Sequence, residues 1–216
     1  MINKTGMLFL FFALSIMGVK GQTPIDSSLL KKEYSNIDEA LKTPENVFRL
    51  NLSNQKINFS DTIWAKFPNL QYLSLKNDHL KKIPASIGNL KNLKVLDLSG
   101  NDFKILPSTF SNLSNLQELF VNDDKYFQLN KNIVILSEMN NLKSLHLEND
   151  GLKKLPTAIF QLNNLESLYL NNNKFNQVPV EIKKIKKLKF LDFHENNYKP
   201  SLNPNTDIGF GIKINF

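Results

Sequence analysis

Cysteine is absent from all 216 residues. That excludes disulfides, thiolate metal sites, a cysteine nucleophile and a lipid-modified amino-terminal cysteine. Glycine is scarce, eight in all, and Gly209 and Gly211 alone do not make a phosphate-cradling loop. Only three histidines occur, too scattered for a metal cluster, and there is no H-E-x-x-H or G-x-S-x-G segment. The longest uncharged apolar run, Met7 to Val19, falls short of the ~20 residues that span a bilayer. The sequence therefore predicts no enzyme, no cofactor, no metal site and no stable membrane span once the leader is gone.

That apolar run follows a short basic lead, Met1 to Lys4, and precedes Val19-Lys20-Gly21, with a cut placed before Gln22. This is the layout of a secretory signal over residues 1–21. An uncleaved anchor is the other reading, and the run's length argues against it. Export places the chain outside the cell, in a periplasm or at a cell surface. The remaining 195 residues suffice for one domain with a sizeable core, and 41% hydrophobic with 22% charged residues is ordinary for a folded chain. Three N-x-S sequons, at Asn51, Asn58 and Asn112, would carry meaning in a eukaryote. The formal charge of +7 falls to +5 when Lys4 and Lys20 leave, a basic balance that invites a nucleic-acid partner.

The dominant pattern is L-x-x-L-x-L-x-x-N-x-L-x-x-I/L-P, beginning at Val47, Leu70, Leu93, Leu116, Leu142, Leu165 and Leu188. Five of the six intervals are 23 residues and the fourth is 26. A fixed period of this size means a solenoid, because one unit cannot bury its apolar face without a neighbour. The clearest copy runs from Leu93 through Leu96, Leu98, Asn101, Phe103 and Leu106-Pro107 to Phe110 and Leu113. These units resemble the leucine-rich repeat family over residues 47–200. Their Ile-Pro or Leu-Pro step (Ile83-Pro84, Leu106-Pro107, Leu155-Pro156, with Val178-Pro179) resembles the 23-residue class of bacteria and of intracellular Ras-associated scaffolds. The resemblance implies an α/β solenoid of about seven repeats, curved and right-handed, with a parallel sheet on the concave face and short helical turns on the convex face. Because secreted animal and plant members usually close their ends with disulfides, it also implies a bacterial protein.

Period two in each L-x-L core points the leucines inward and the intervening residues outward. The polar position after each strand (Gln55, Asp78, Asn101, Asp124, Asp150, Asn173, Asn196) is expected to be enclosed at the turn, bonding backbone groups there and in the adjacent repeat. These seven are read as structural. Residues 22–46 should form an amino-terminal cap, with Asn36-Ile-Asp-Glu39 resembling a capping box that opens a short helix ending near Pro44. Residues 201–216 carry an alternating Ile208, Phe210, Ile212, Ile214, Phe216 strand. It reads as a capping strand. A terminal Phe on such a strand also resembles the closing strand of outer-membrane barrels, but one strand cannot make a barrel.

Function in a solenoid usually lies on the concave sheet. Its outward stripes read Arg49, Tyr72, Val95, Glu118, Ser144, Ser167, Phe190; then Asn51, Ser74, Asp97, Phe120, His146, Tyr169, Asp192; then Ser53, Lys76, Ser99, Asn122, Glu148, Asn171, His194. With the next position along (Asn54 to Glu195), the set holds six acids and two bases, a net of −4. The lysines lie on loops and the convex side, the reverse of a phosphate-binding face, which argues against nucleic acid. Phe120, His146 and Tyr169 fall on consecutive strands with Phe190 diagonal to them, rimmed by Glu118 and Glu148. This row, with Asp97, Asp192 and Tyr72, is the expected contact set for a protein or peptide bearing basic groups. A glycan or cell-surface polymer, held by the same rings and by Asn149, Asn171 and Asn172, is the other reading. Cross-strand stabilisation of the sheet is the bland one. The extra residues of the 26-residue repeat, between Lys125 and Met139, directly follow Phe120 and Asn122 and read as a binding loop.

Overall fold

A computed structural model describes residues 27–57, 60–199 and 211–216. The expected signal (1–21), Asn58, Ile208 and Phe210 lie outside them. Among the described residues, nine short strands form one parallel sheet in strict chain order: β1 Glu33–Tyr34, β2 Arg49–Asn51, β3 Tyr72–Ser74, β4 Val95–Asp97, β5 Glu118–Phe120, β6 Ser144–His146, β7 Ser167–Tyr169, β8 Phe190–Asp192 and β9 Lys213–Asn215. Register follows the repeat without slippage, so Leu50, Leu73, Leu96, Leu119, Leu145, Leu168 and Leu191 are direct partners along the sheet. A one-residue slip would turn this whole leucine row to the solvent face, which is why the pairing is unambiguous.

Each chain segment then leaves the sheet, turns and returns along the opposite side as a 3-10 turn, such as Ala85–Asn89, Ser108–Asn112, Thr157–Gln161 and Val180–Lys184. Proline stands just before each of these turns, at Pro84, Pro107, Pro156 and Pro179. Its fixed φ and missing N–H end the extended segment there. Between sheet and turns lies one continuous core containing Leu96, Leu98, Phe103, Leu106, Phe110 and Leu113, all at most 1% exposed. Each such side chain contributes about 1.5–3 kcal/mol of burial.

The 26-residue repeat differs from its neighbours. Its extra residues do not make a loop: they lengthen the 3-10 turn into α3, Leu129–Glu138. Leu129, Ile133 and Leu136 face the core, and so does Asn132, whose Oδ1 accepts from the Leu106 N–H at 2.8 Å while its Nδ2 donates to the Lys104 and Gln128 carbonyls. The insertion thus thickens the side opposite the sheet and lends the sheet face no loop.

At the amino end, after the short α1 (Ser27–Lys31), Asn36 Oδ1 accepts from the backbone of Asp38 and Glu39 (2.8 and 3.1 Å) to start α2, Ile37–Ala40, which buries Ile37 and Ala40 against the first repeat. At the other end β9 pairs with β8, and Phe216 packs against Tyr198 and Phe193 with ring centroids 5.3 and 6.3 Å away.

The residue just before each ladder position has left-handed backbone in all seven repeats, at Asn54, Asn77, Gly100, Asp123, Asn149, Asn172 and Glu195. Asn, Asp and Gly tolerate that conformation best, so the Asn-rich sequence here reflects the turn. A Cβ on Gly100 (φ 69°) would lie 1.9 Å from Oδ1 of Asn77, whose Nδ2 donates to Asn54 Oδ1. Gly100→Ala is expected to lower the unfolding free energy by about 1–2 kcal/mol, read by urea denaturation; an unchanged midpoint would contradict this account of the turn.

Candidate partner-binding face

The polar position after each strand builds a bonded ladder through the turn. Oδ1 of Asp78, Asn101, Asp124, Asp150 and Asn173 accepts from the backbone N–H of the corresponding residue one repeat earlier, at 2.6–3.2 Å. Asn101 Nδ2 also donates to the Leu75 and Leu98 carbonyls, and Asn173 Nδ2 to those of Leu147 and Leu170. Asn196 does the same at the far end, toward Leu170 and Phe193. Gln55 departs from the enclosed position expected of it: it is exposed and reaches Ser35 O through Nε2. Only the short β1 segment precedes it, so no full repeat covers its side chain.

Where the ladder carries Asp, a second oxygen occupies the place of the amide nitrogen. Asp78, Asp124 and Asp150 each hold Oδ2 buried and unbonded. Burial pushes the Asp124 carboxyl up to about 9 and the Asp150 carboxyl up to about 8, and it raises Asp78 as well. Asp124 and Asp150 are therefore neutral at neutral pH, and their Oδ2 atoms stand where Asn101 places its donating amide but form no hydrogen bond.

On the outer face of the sheet, parallel register sets Asp97, Phe120, His146, Tyr169 and Asp192 in one row across β4 to β8. Phe120 and His146 stack at 3.8 Å with planes 18° apart, and His146 and Tyr169 at 4.0 Å with planes 8° apart. Phe190 lies tilted against Tyr169 at 5.5 Å. His146, expected as an exposed contact, is only 7% exposed because both its faces are covered. Its edges are held too: Nε2 meets Glu118 Oε1 at 3.1 Å and Nδ1 meets Glu148 Oε1 at 3.0 Å. Burial favours the neutral ring, but the hydrogen bonds and charges of Glu118 and Glu148 outweigh it and hold the pKa above the ordinary histidine value. An imidazolium donating from both nitrogens satisfies this geometry.

Two further consequences follow. Glu118 and Glu148 are each engaged by His146, and Glu148 Oε2 is buried, so Glu118 is the more accessible acid of the pair, with 36% of its side chain exposed against 21%. Burial, then Glu118, Glu148 and Asp192, raise the Tyr169 hydroxyl; burial, then Asp97 and Glu33, raise that of Tyr72, so both hydroxyls stay protonated beside the acids. Tyr72 also carries the Arg49 guanidinium over its ring at 4.1 Å, with Arg49 paired to Glu33 at 2.9 Å. Asp97 accepts from Ser99, and Asp192 lies 2.5 Å from His194 Nδ1 and accepts from Asn215. Ser74 and Ser99, which point outward in the sequence pattern, are 1% exposed beneath their longer neighbours.

Residues 46–141 match the family described as "Leucine-rich repeat region", and residues 140–197 match "Leucine rich repeat". The chain is a leucine-rich repeat protein. The Toll–Spatzle complex of Drosophila contains a chain of similar fold: TM-score 0.65 at 17% identity, covering 74% of this chain and 22% of that one. No curated protein matches. Leucine-rich repeat domains are generally protein-interaction modules and typically non-catalytic. Among the described residues, none group into a set of three or more His, Asp or Glu able to hold a metal ion. No helix among them is long and apolar enough to cross a membrane.

A second ladder in this leucine-rich repeat protein escaped the sequence reading. Nδ2 of Asn69, Asn92, Asn115, Asn141 and Asn164 donates to a backbone carbonyl of the preceding repeat at 2.5–2.8 Å. The signal was present as an Asn-Leu pair at five of the seven repeat starts. Glu33, which joins the first outward stripe through β1, had no such signal because β1 precedes the periodic region.

Proposed function

We propose that this leucine-rich repeat protein is an exported, non-catalytic binding module whose sheet face takes a protein or peptide carrying basic groups. The observation that carries the reading is the row of four rings, Phe120, His146, Tyr169 and Phe190, on consecutive strands beside Glu118. Between Phe120 and Tyr169 the ring centroids span about 8 Å, and stacking covers both faces of His146 and the facing sides of Phe120 and Tyr169, so along this row solvent meets ring edges. A sugar platform needs an open aromatic face. A strip of edges beside carboxylates suits apolar and cationic side chains of a polypeptide instead, and this favours a protein partner over a glycan. His146 works from beneath: it fixes both rings and both glutamates before the partner arrives, which lowers the entropy lost on binding. Glu118, Asp97 and Asp192 supply the negative potential, Tyr72 extends the aromatic surface toward β2, and Glu148 acts through His146.

The test is affinity capture from host and bacterial extracts by the protein and by its Phe120→Ala/Tyr169→Ala variant. The captured protein is expected to bind the variant on the order of 30-fold more weakly, as loss of a central hot spot of about 2 kcal/mol implies, and to release as salt rises. A partner held equally by a folded variant would rule out this face.

A further inference from the structure

A second surface lies away from the sheet, on the flank where the chain leaves the ladder. There Lys81, Lys82, Asp102, Lys104, Ile105 and Tyr126 line an open groove of about 620 Å³. It crosses three successive repeats, since its residues follow the ladder positions Asp78, Asn101 and Asp124. The groove has two kinds of surface at once. Ile105 and Tyr126 are large apolar side chains left 43% and 44% exposed, beside each other in a protein whose other leucines and phenylalanines are mostly enclosed. Around them stand three exposed lysines, none of which forms an ion pair among the described residues. The one acid, Asp102, faces His79 at 3.3 Å. Lys125 Nζ lies 5.0 Å over the Tyr126 ring, adding a fourth positive charge at the rim.

We infer that this flank groove binds an acidic peptide segment, with an apolar or aromatic side chain seated on Ile105 and Tyr126 and carboxylates meeting Lys81, Lys82 and Lys104. Charge complementarity selects the occupant. A basic segment is repelled, and a small anion such as phosphate has no use for the apolar pair. A nucleic acid would meet the same lysines, which recur at the equivalent positions Lys153 and Lys154, but it has no aliphatic side chain for Ile105, and the groove with its apolar pair ends at Tyr126. The sheet face and the groove thus carry opposite potentials, and the two proposals stand on different residues.

The experiment is fluorescence anisotropy with a labelled Glu-Glu-Leu-Trp-Glu-Glu peptide, compared with hexaglutamate and with Lys-Lys-Leu-Trp-Lys-Lys. The acidic amphipathic peptide should saturate the protein and release as salt rises, with hexaglutamate several-fold weaker and the basic peptide unbound. Lys82→Glu/Lys104→Glu is expected to weaken it about 10-fold or more, and Tyr126→Ala about 5-fold, in keeping with exposed charge pairs and a rim aromatic. Phe120→Ala/Tyr169→Ala should leave it unchanged, which separates failure of this inference from failure of the sheet-face reading. All the altered flank side chains are exposed, so the variants keep their fold. Absence of saturable binding, hexaglutamate binding as tightly, or indifference to both flank variants would each overturn the inference.

Discussion

Replacing Asp124 and Asp150 together by Asn is expected to stabilise the protein at neutral pH by about 1–3 kcal/mol per site, the scale of a buried polar group left unsatisfied. The ladder itself states the reason. At Asn101 and Asn173 the amide nitrogen donates to two strand-end carbonyls; at Asp124 and Asp150 the equivalent oxygen is buried without a partner. An ionised carboxylate there would face backbone oxygens, so the folded state keeps the proton, with burial raising the two groups to about 9 and about 8. In the unfolded chain both titrate near 3.9. A folded value above the unfolded one means the stability contribution is whole below about pH 4 and declines as pH rises toward 8–9. Urea unfolding across this range should show the wild type losing stability steadily while the double Asn variant declines less. Parallel curves would show that the ladder does not hold these protons.

The second large effect is expected at His146. His146→Ala should lower the unfolding free energy by about 3 kcal/mol, because it deletes a ring stacked on both sides and leaves two carboxylates facing the gap without a donor. His146→Phe separates the two contributions: it restores the stack between Phe120 and Tyr169 but not the bonds to Glu118 and Glu148. It should recover part of the loss, at most about 1.5 kcal/mol for each ring pair. The pH dependence has its own sign. The folded His146 pKa is raised, so the stability from its charged form is fully present below about 6.5, the unfolded value, and is lost as pH rises through the folded one. Wild type should show this step on guanidinium unfolding and His146→Phe should not. A Phe variant as stable as wild type, with the same pH profile, would contradict a charged His146.

Much of this was legible in the sequence because one period governs it. A 23-residue step fixes strand register, so the identity of the residues sharing each outward stripe follows from counting alone. Period fixes position but not packing, and the differences arise there. His146 is buried because neighbouring strands lie about 4.8 Å apart, close enough for rings to stack face to face, and because Glu118 and Glu148 fold over its edges. Ser74 and Ser99 are lost beneath longer neighbours for the same reason. The α3 helix had a readable cue in the spacing of Leu129, Ile133 and Leu136, yet a count of extra residues alone suggests a loop. Asp124 and Asp150 look equivalent to Asn by position; only the burial of Oδ2 shows why each keeps its proton. The flank groove was invisible because Lys81, Lys104 and Tyr126 belong to three repeats and converge only when these stack.

The central claim is that the ring row on the sheet face meets a protein partner. Photocrosslinking tests it most directly, with p-benzoylphenylalanine placed at Tyr169 on the sheet face or at Val134 on α3, which is 58% exposed on the opposite side. Irradiation in host and bacterial extracts is predicted to yield one discrete adduct from position 169, absent from position 134 and lost when Phe120→Ala is added. An adduct from position 134 alone, or from neither position, would contradict the claim.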